Sequence, residues 1–157
     1  MNFVQQGVVG LAAMALFASS ALAQELTWRK DIEPIIKKGC AECHGADTKE
    51  YGPWMLLDDA ARRKEGPRMD TYTTFMNYVV WPATGAMQRR LDDGANAGGK
   101  PGNMYKHLGE TDEERARNLA TIKAWLGEGA WNLNRFKARG EVPGVTKDQL
   151  EKIKAKY

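Results

Sequence analysis

The chain has 157 residues, with 23 Lys and Arg against 20 Asp and Glu, and only two Cys and two His. The formal charge of +3 is mild, and no basic block or basic–aromatic interleaving accompanies it, so nucleic acid is not the partner. A Cys/His zinc centre takes four ligands and would consume every Cys and His the chain has.

The first stretch reads as an export signal. Residues 8–18 are almost entirely apolar, and Ala21-Leu22-Ala23 is an A-x-A cleavage site, although no Lys or Arg precedes the run. Cleavage before Gln24 removes residues 1–23 and delivers a periplasmic protein into an oxidising compartment. The apolar run is short for a membrane span and no other stretch could cross a bilayer, so the mature protein has no transmembrane segment.

Residues 27–39 form a helix, with Asp31 and Glu33 near its start, Pro34 in its first turn, Ile32, Ile35 and Ile36 on one face, and Gly39 as its stop. It runs into Cys40-Ala41-Glu42-Cys43-His44. Two thiols at this spacing can each bond one vinyl group of the same porphyrin, and the adjacent His can offer its imidazole to the iron. A thioredoxin-like redox pair has no need of the His. The pattern therefore points to one covalently attached haem c on Cys40 and Cys43, with His44 as an axial ligand.

The next stretch, 45–54, is a loop. The Pro53 carbonyl is a candidate acceptor for the second ring N–H of His44, and Trp54 a candidate for packing at the haem edge. Residues 55–63 read as a short helix with Leu56, Leu57 and Ala60 on one side, and Arg62-Arg63-Lys64 as a solvated face. Gly66-Pro67 breaks the chain. Asp70 or Thr71 caps a helix through residue 81, with Phe75, Tyr78 and Val79 inward and Pro82 ending it. Residues 83–102 read as an irregular loop. Its run Asp92-Asp93-Gly94-Ala95-Asn96-Ala97-Gly98-Gly99 matches no complete EF-hand and reads as an exposed turn, not a calcium site.

Thr111-Asp112-Glu113-Glu114 is a capping box that opens a helix through residue 126, with Leu119, Ile122, Trp125 and Leu126 as its apolar side and Gly127 and Gly129 as stops. Residues 131–145 lie over the body through Trp131 and Phe136. Thr146-Lys147-Asp148-Gln149 is a second capping box, opening a short basic helix with Leu150 and Ile153 inward. The domain is thus 24–130, with 131–157 an extension packed on it.

A second axial ligand could be a Met, a His, a Lys, or nothing. Met55, Met69 and Met76 lie on or beside apolar segments, as core filler does, whereas Met87 and Met104 lie where a thioether can face a metal; His107 is the other His. Taken together, the chain resembles a monohaem class I cytochrome c over residues 27–130. Lys37-Lys38-Gly39 with Cys40 to His44 is similar to that family's attachment segment, residues 74–82 to its middle helix and Pro, and Glu114-Arg115, Leu119 and Trp125-Leu126 to its last helix. Pro101-Gly102-Asn103-Met104 resembles its ligand loop. The resemblance implies an all-α cytochrome c fold of four to five helices around one covalent haem, a long ligand loop, and Met104 as sixth ligand, with Met87 as alternative. Pro53, Trp54, Tyr105 and Trp125 are candidates for the haem pocket. It implies a periplasmic one-electron carrier, not an enzyme, that acts as a monomer on redox protein partners. Lys37, Lys38, Lys100 and Lys106 flank the ligand segments and could steer acidic ones. The alternatives are a haem subunit of a larger periplasmic oxidoreductase, or a haem protein with an open sixth position.

Overall fold

Two helical elements frame the molecule, and their sequences explain where they begin. Thr27 caps the first: its hydroxyl accepts the Lys30 N–H, and its own N–H donates to Asp31 Oδ2 at 2.7 Å. The opening turn, Trp28–Ile32, is a wide π-turn, closed by Glu33 N–H to Trp28 O, and α1 (Glu33–Gly39) continues from it. Pro34 therefore stands one turn further in than the sequence suggests. There an ordinary α-ladder would lose an N–H and clash with the ring, and the widened turn in front of it makes the room.

The second frame element is α7 (Asp112–Leu126), capped by Thr111, whose side chain accepts the Glu114 N–H. The reciprocal half of the expected capping box is absent. Glu114 instead accepts the Glu110 N–H (2.9 Å) and pairs with Lys38 of α1 (2.7 Å). Trp28, Ile32 and Ile36 bury against Leu119, Ile122, Trp125 and Leu126. Trp28 lies 5.3 Å from Phe75 and 5.8 Å from Trp125, ring centre to ring centre, in tilted geometries that suit aromatic quadrupoles.

This computed structural model describes residues 25–131 and 146–157; the signal reading of 1–23 and the Phe136 anchor lie outside them. Between the frame helices run shorter pieces: α2 (Ala41–His44), α3 (Tyr51–Met55), α4 (Asp59–Lys64), α5 (Tyr72–Met76) and α6 (Ala86–Leu91), then a 3₁₀ turn, Tyr105–Leu108. After α7 come α8 (Glu128–Trp131) and α9 (Lys147–Leu150). The described residues contain no strand, and no helix among them is long and apolar enough to cross a membrane. The fold is all-α, as expected.

Several expected elements are cut differently. The helix expected over 55–63 begins only at Asp59, as α4, and α3 instead occupies the end of the stretch expected as a loop over 45–54. Leu56 N–H closes α3 on the Pro53 carbonyl, and Asp58, unread as a cap, starts α4 by accepting the Ala61 N–H, which leaves Leu56 90% exposed. Thr71 does open α5, with a full capping box, but the α-helix ends at Met76 and turns carry the chain to Pro82. Phe75, Tyr78 and Val79 are buried as expected. The long loop 83–102 contains a real helix, α6, which buries Met87, Gln88 and Leu91.

The C-terminal residues close over the aromatic core. The Lys156 carbonyl accepts both Trp28 N–H and Trp125 Nε1–H at 2.8 Å, and Lys154 N–H reaches Leu126 O at 2.9 Å. The Arg29 guanidinium lies 4.5 Å from the Tyr157 ring centre. Thr146 and Gln149 form their capping box, and Ile153 packs on the core, but Leu150, expected inward, is about half exposed because α9 lasts a single turn. Trp131 is buried with Lys123 over its ring.

Candidate functional site

Cys40, Cys43 and His44 share one helical turn. Both Cys43 and His44 donate their backbone N–H to the Cys40 carbonyl, at 3.2 and 2.9 Å, which sets the two thiols and the imidazole around one point. Both cysteines are free. Cys43 is exposed; Cys40 is partly covered, and burial first, then the neighbouring Cys43, pushes its thiol up to about 11.

The His44 ring is buried, and its Nδ1 lies 2.7 Å from the Pro67 carbonyl. A carbonyl only accepts, so Nδ1 carries the proton and the Nε2 lone pair is left for a metal. Burial holds the imidazole below its ordinary range against the opposing Pro67 bond, with smaller pushes in the same direction from His107 and Arg90. Burial thus favours the neutral form of the ring. Pro53, the expected acceptor, is not used: its carbonyl is taken by the Leu56 N–H, and its residue is exposed.

Gly66 and Pro67 are the residues that the sequence reading missed, treating them only as a break. A Cβ on Gly66 would sit 2.4 Å from His44 Cε1 and 2.6 Å from its Nδ1, so only glycine lets the chain pass flat against the imidazole. The signal was present as a Gly-Pro pair, but it lies 23 positions from the ring it supports. Trp54 is half-buried, and its indole N–H donates to the Glu65 carbonyl at 2.6 Å, bracing the same segment. Its ring neighbours Tyr51, which in turn meets Tyr78 edge-on at 5.7 Å.

The candidate sixth ligands separate. Met87 is deep in the core on α6, its N–H bonded to Tyr78 O at 2.8 Å. Met104 is half-buried in a loop, one residue before the 3₁₀ turn that carries Tyr105 and the exposed His107. That turn touches the attachment segment: a Cβ on Gly39 would lie 2.1 Å from the His107 carbonyl. The loop of Met104 and the Cys40–His44 turn are thereby neighbours. Trp125 belongs to the aromatic core between α1 and α7, with its ring contacts to Trp28, Tyr72 and Phe75.

These residues fit a covalent haem. Two unpaired thiols lie on one turn, a neutral imidazole has its outer nitrogen committed, and the Tyr78 hydroxyl is buried without a hydrogen-bond partner. No cluster of three or more His, Cys, Asp or Glu that could hold a separate metal ion occurs among the described residues. Of the four lysines expected as a positive rim, two are paired: Lys37 with Glu33 and Lys38 with Glu114, each at 2.7 Å.

Comparison with known proteins agrees with this geometry. Residues 27–157 match the PccH cytochrome c family. A solved structure of the monohaem cytochrome PccH from Geobacter sulfurreducens is similar at 50% identity and a TM-score of 0.70, covering 85% of this chain and 99% of that one. Among the curated proteins searched, none matches.

Proposed function

The chain belongs to the PccH cytochrome c family and carries one covalently bound haem c, and from this we propose that it is a periplasmic carrier of single electrons, not an enzyme. Cys40 and Cys43 hold the haem by thioether bonds; His44 and Met104 are the axial ligands. Haem supplies an iron that takes up and gives back one electron without making or breaking a bond in a substrate.

The observation that carries this reading is the committed Nδ1–H of His44. Its bond to the Pro67 carbonyl fixes ring orientation and tautomer and makes the imidazole a stronger donor through Nε2. Met104 is favoured over Met87 because its loop meets the attachment segment through His107 and Gly39, while Met87 fills the core. A thioether ligand favours ferrous iron and suits a carrier of raised potential. Tyr105 and Trp54 border the two ligand segments and serve as packing for the haem. The apolar run 8–18 with its A-x-A site supports export by a cleaved signal. Residues 154–156 close on the domain through Lys154 and Lys156, which favours an independent carrier over a fixed subunit of a larger oxidoreductase.

The test is the optical spectrum of the purified protein. Ferric protein is expected to show the weak charge-transfer band of a Met sulfur on iron. Met104→Ala removes that band, and Met87→Ala retains it. A high-spin ferrous form that binds carbon monoxide rapidly would instead mean an open sixth position and would end the simple carrier reading.

A further inference from the structure

The turn at 92–99 and helix α6 lie outside the ligand set, yet both converge on the loop that carries Met104. Asp92 follows α6 and is fully buried. Its carboxylate is held by its own turn: Oδ2 accepts Gly94 N–H at 3.0 Å and Asn96 N–H at 3.2 Å, and Oδ1 accepts Asn96 Nδ2–H at 2.7 Å. Lys123 of α7 reaches Asp93 at 3.9 Å and ties the turn to the frame. The chain then returns to the same place. Gly102 N–H donates to the Asp92 carbonyl at 2.8 Å, and Met104 N–H to the Arg90 carbonyl at 3.0 Å. The fit is close, since a Cβ on Gly102 would lie 2.4 Å from the carbonyls of both Arg89 and Arg90. Arg90 adds a side-chain bond to Asn103 Oδ1 at 2.9 Å. Each residue from Gly102 to Met104 is therefore held by the end of α6.

We propose that Asp92 is a positioning residue for the sixth-ligand loop: the turn folded around its buried carboxylate returns the chain onto the end of α6 and keeps Met104 in place against competing ligands. This rests on the reading of Met104 as the sixth ligand. Three hydrogen bonds to one buried carboxylate define the turn, and removing their acceptor leaves three donors to find water. The loop then opens more often. An outside ligand reaches the iron only in the open form, so its apparent affinity follows the open fraction directly.

The test is imidazole binding to the ferric holoprotein, read with the Met–iron band. Asp92→Ala is expected to tighten imidazole binding about tenfold or more. Asp92→Asn restores near-native affinity, because the Asn96 amide can flip and accept from the new amide while the other oxygen keeps its two backbone donors. Asn96→Ala removes one bond at an exposed position and gives a smaller tightening, so the proposal remains testable if Asp92→Ala folds poorly. Ile153→Ala, which loosens the core elsewhere, lowers the unfolding temperature and leaves imidazole affinity unchanged. If the band is present and vanishes in Met104→Ala, yet both Asp92→Ala and Asn96→Ala bind imidazole as the wild type does, Asp92 has no positioning role and the ligand reading survives. If the wild type lacks the band, the ligand reading and the proposal fall together.

Discussion

The His44 imidazole depends on two residues that no ligand motif includes. Pro67 accepts its Nδ1–H, and Gly66 leaves no side chain between the backbone and the ring. Gly66→Ala pushes a methyl group into Cε1 and Nδ1, so ring or backbone must shift. Overpacking of this kind costs about 1–3 kcal/mol, which thermal unfolding of the haem-loaded protein would read as a lowered midpoint. The same shift weakens the Pro67 bond and makes the imidazole a poorer electron donor. The reduction potential is expected to rise, and a variant of lowered stability with unchanged potential would show that the bond does not tune the iron.

At the scale of elements, α1 and α7 are joined by Lys38 and Glu114 as well as by the aromatic core. The Glu114 carboxyl is held below its ordinary range, first by the Lys38 bond and then by the Glu110 N–H. A depressed carboxyl contributes stability above its ordinary range and loses that contribution as pH falls through its folded value. Glu114→Gln should therefore flatten the acid limb of the unfolding temperature, below the ordinary carboxylate range. Both groups are at the surface, so the change is small. The two frame helices were legible because each has a Thr cap and a buried apolar face of helical period. The covalent haem was legible too, because the Cys40–His44 motif that points to it is contiguous in sequence. α6 was not legible: its six residues include two Arg, Gly85 opens it without a side-chain cap, and its inward face is fixed by tertiary partners such as Tyr78 O and Ala130 O. The Pro67 acceptor was missed for the same reason, since a partner 23 positions away leaves no local pattern. Leu56 misled in the opposite direction, because its apolar side chain fell at a helix end defined by Asp58.

For the molecule as a whole, the charge that partners meet is less than the lysine count suggests. Lys37 and Lys38 pair with Glu33 and Glu114, so of the four lysines Lys100 and Lys106, both exposed, add to the Arg90 guanidinium, bonded to the neutral Asn103 side chain, in the positive field near the Met104 loop. With a formal charge of only +3, the rate of electron transfer to an acidic redox protein should fall modestly as salt rises. Lys100→Glu with Lys106→Glu should slow that rate more than the same change at Lys37. Stopped-flow rates across an ionic-strength series decide it, and equal effects at the three positions would remove the idea of a localised rim.

The segment beginning at Glu25 and the segment ending at Tyr157 lie side by side. Lys156 pairs with Glu25, its carbonyl takes the Trp28 N–H, and Arg29 covers the Tyr157 ring. Residues 25–157, joined by a short peptide across that seam and opened at an exposed turn elsewhere, would be expected to keep the same helix packing, read from a different first residue.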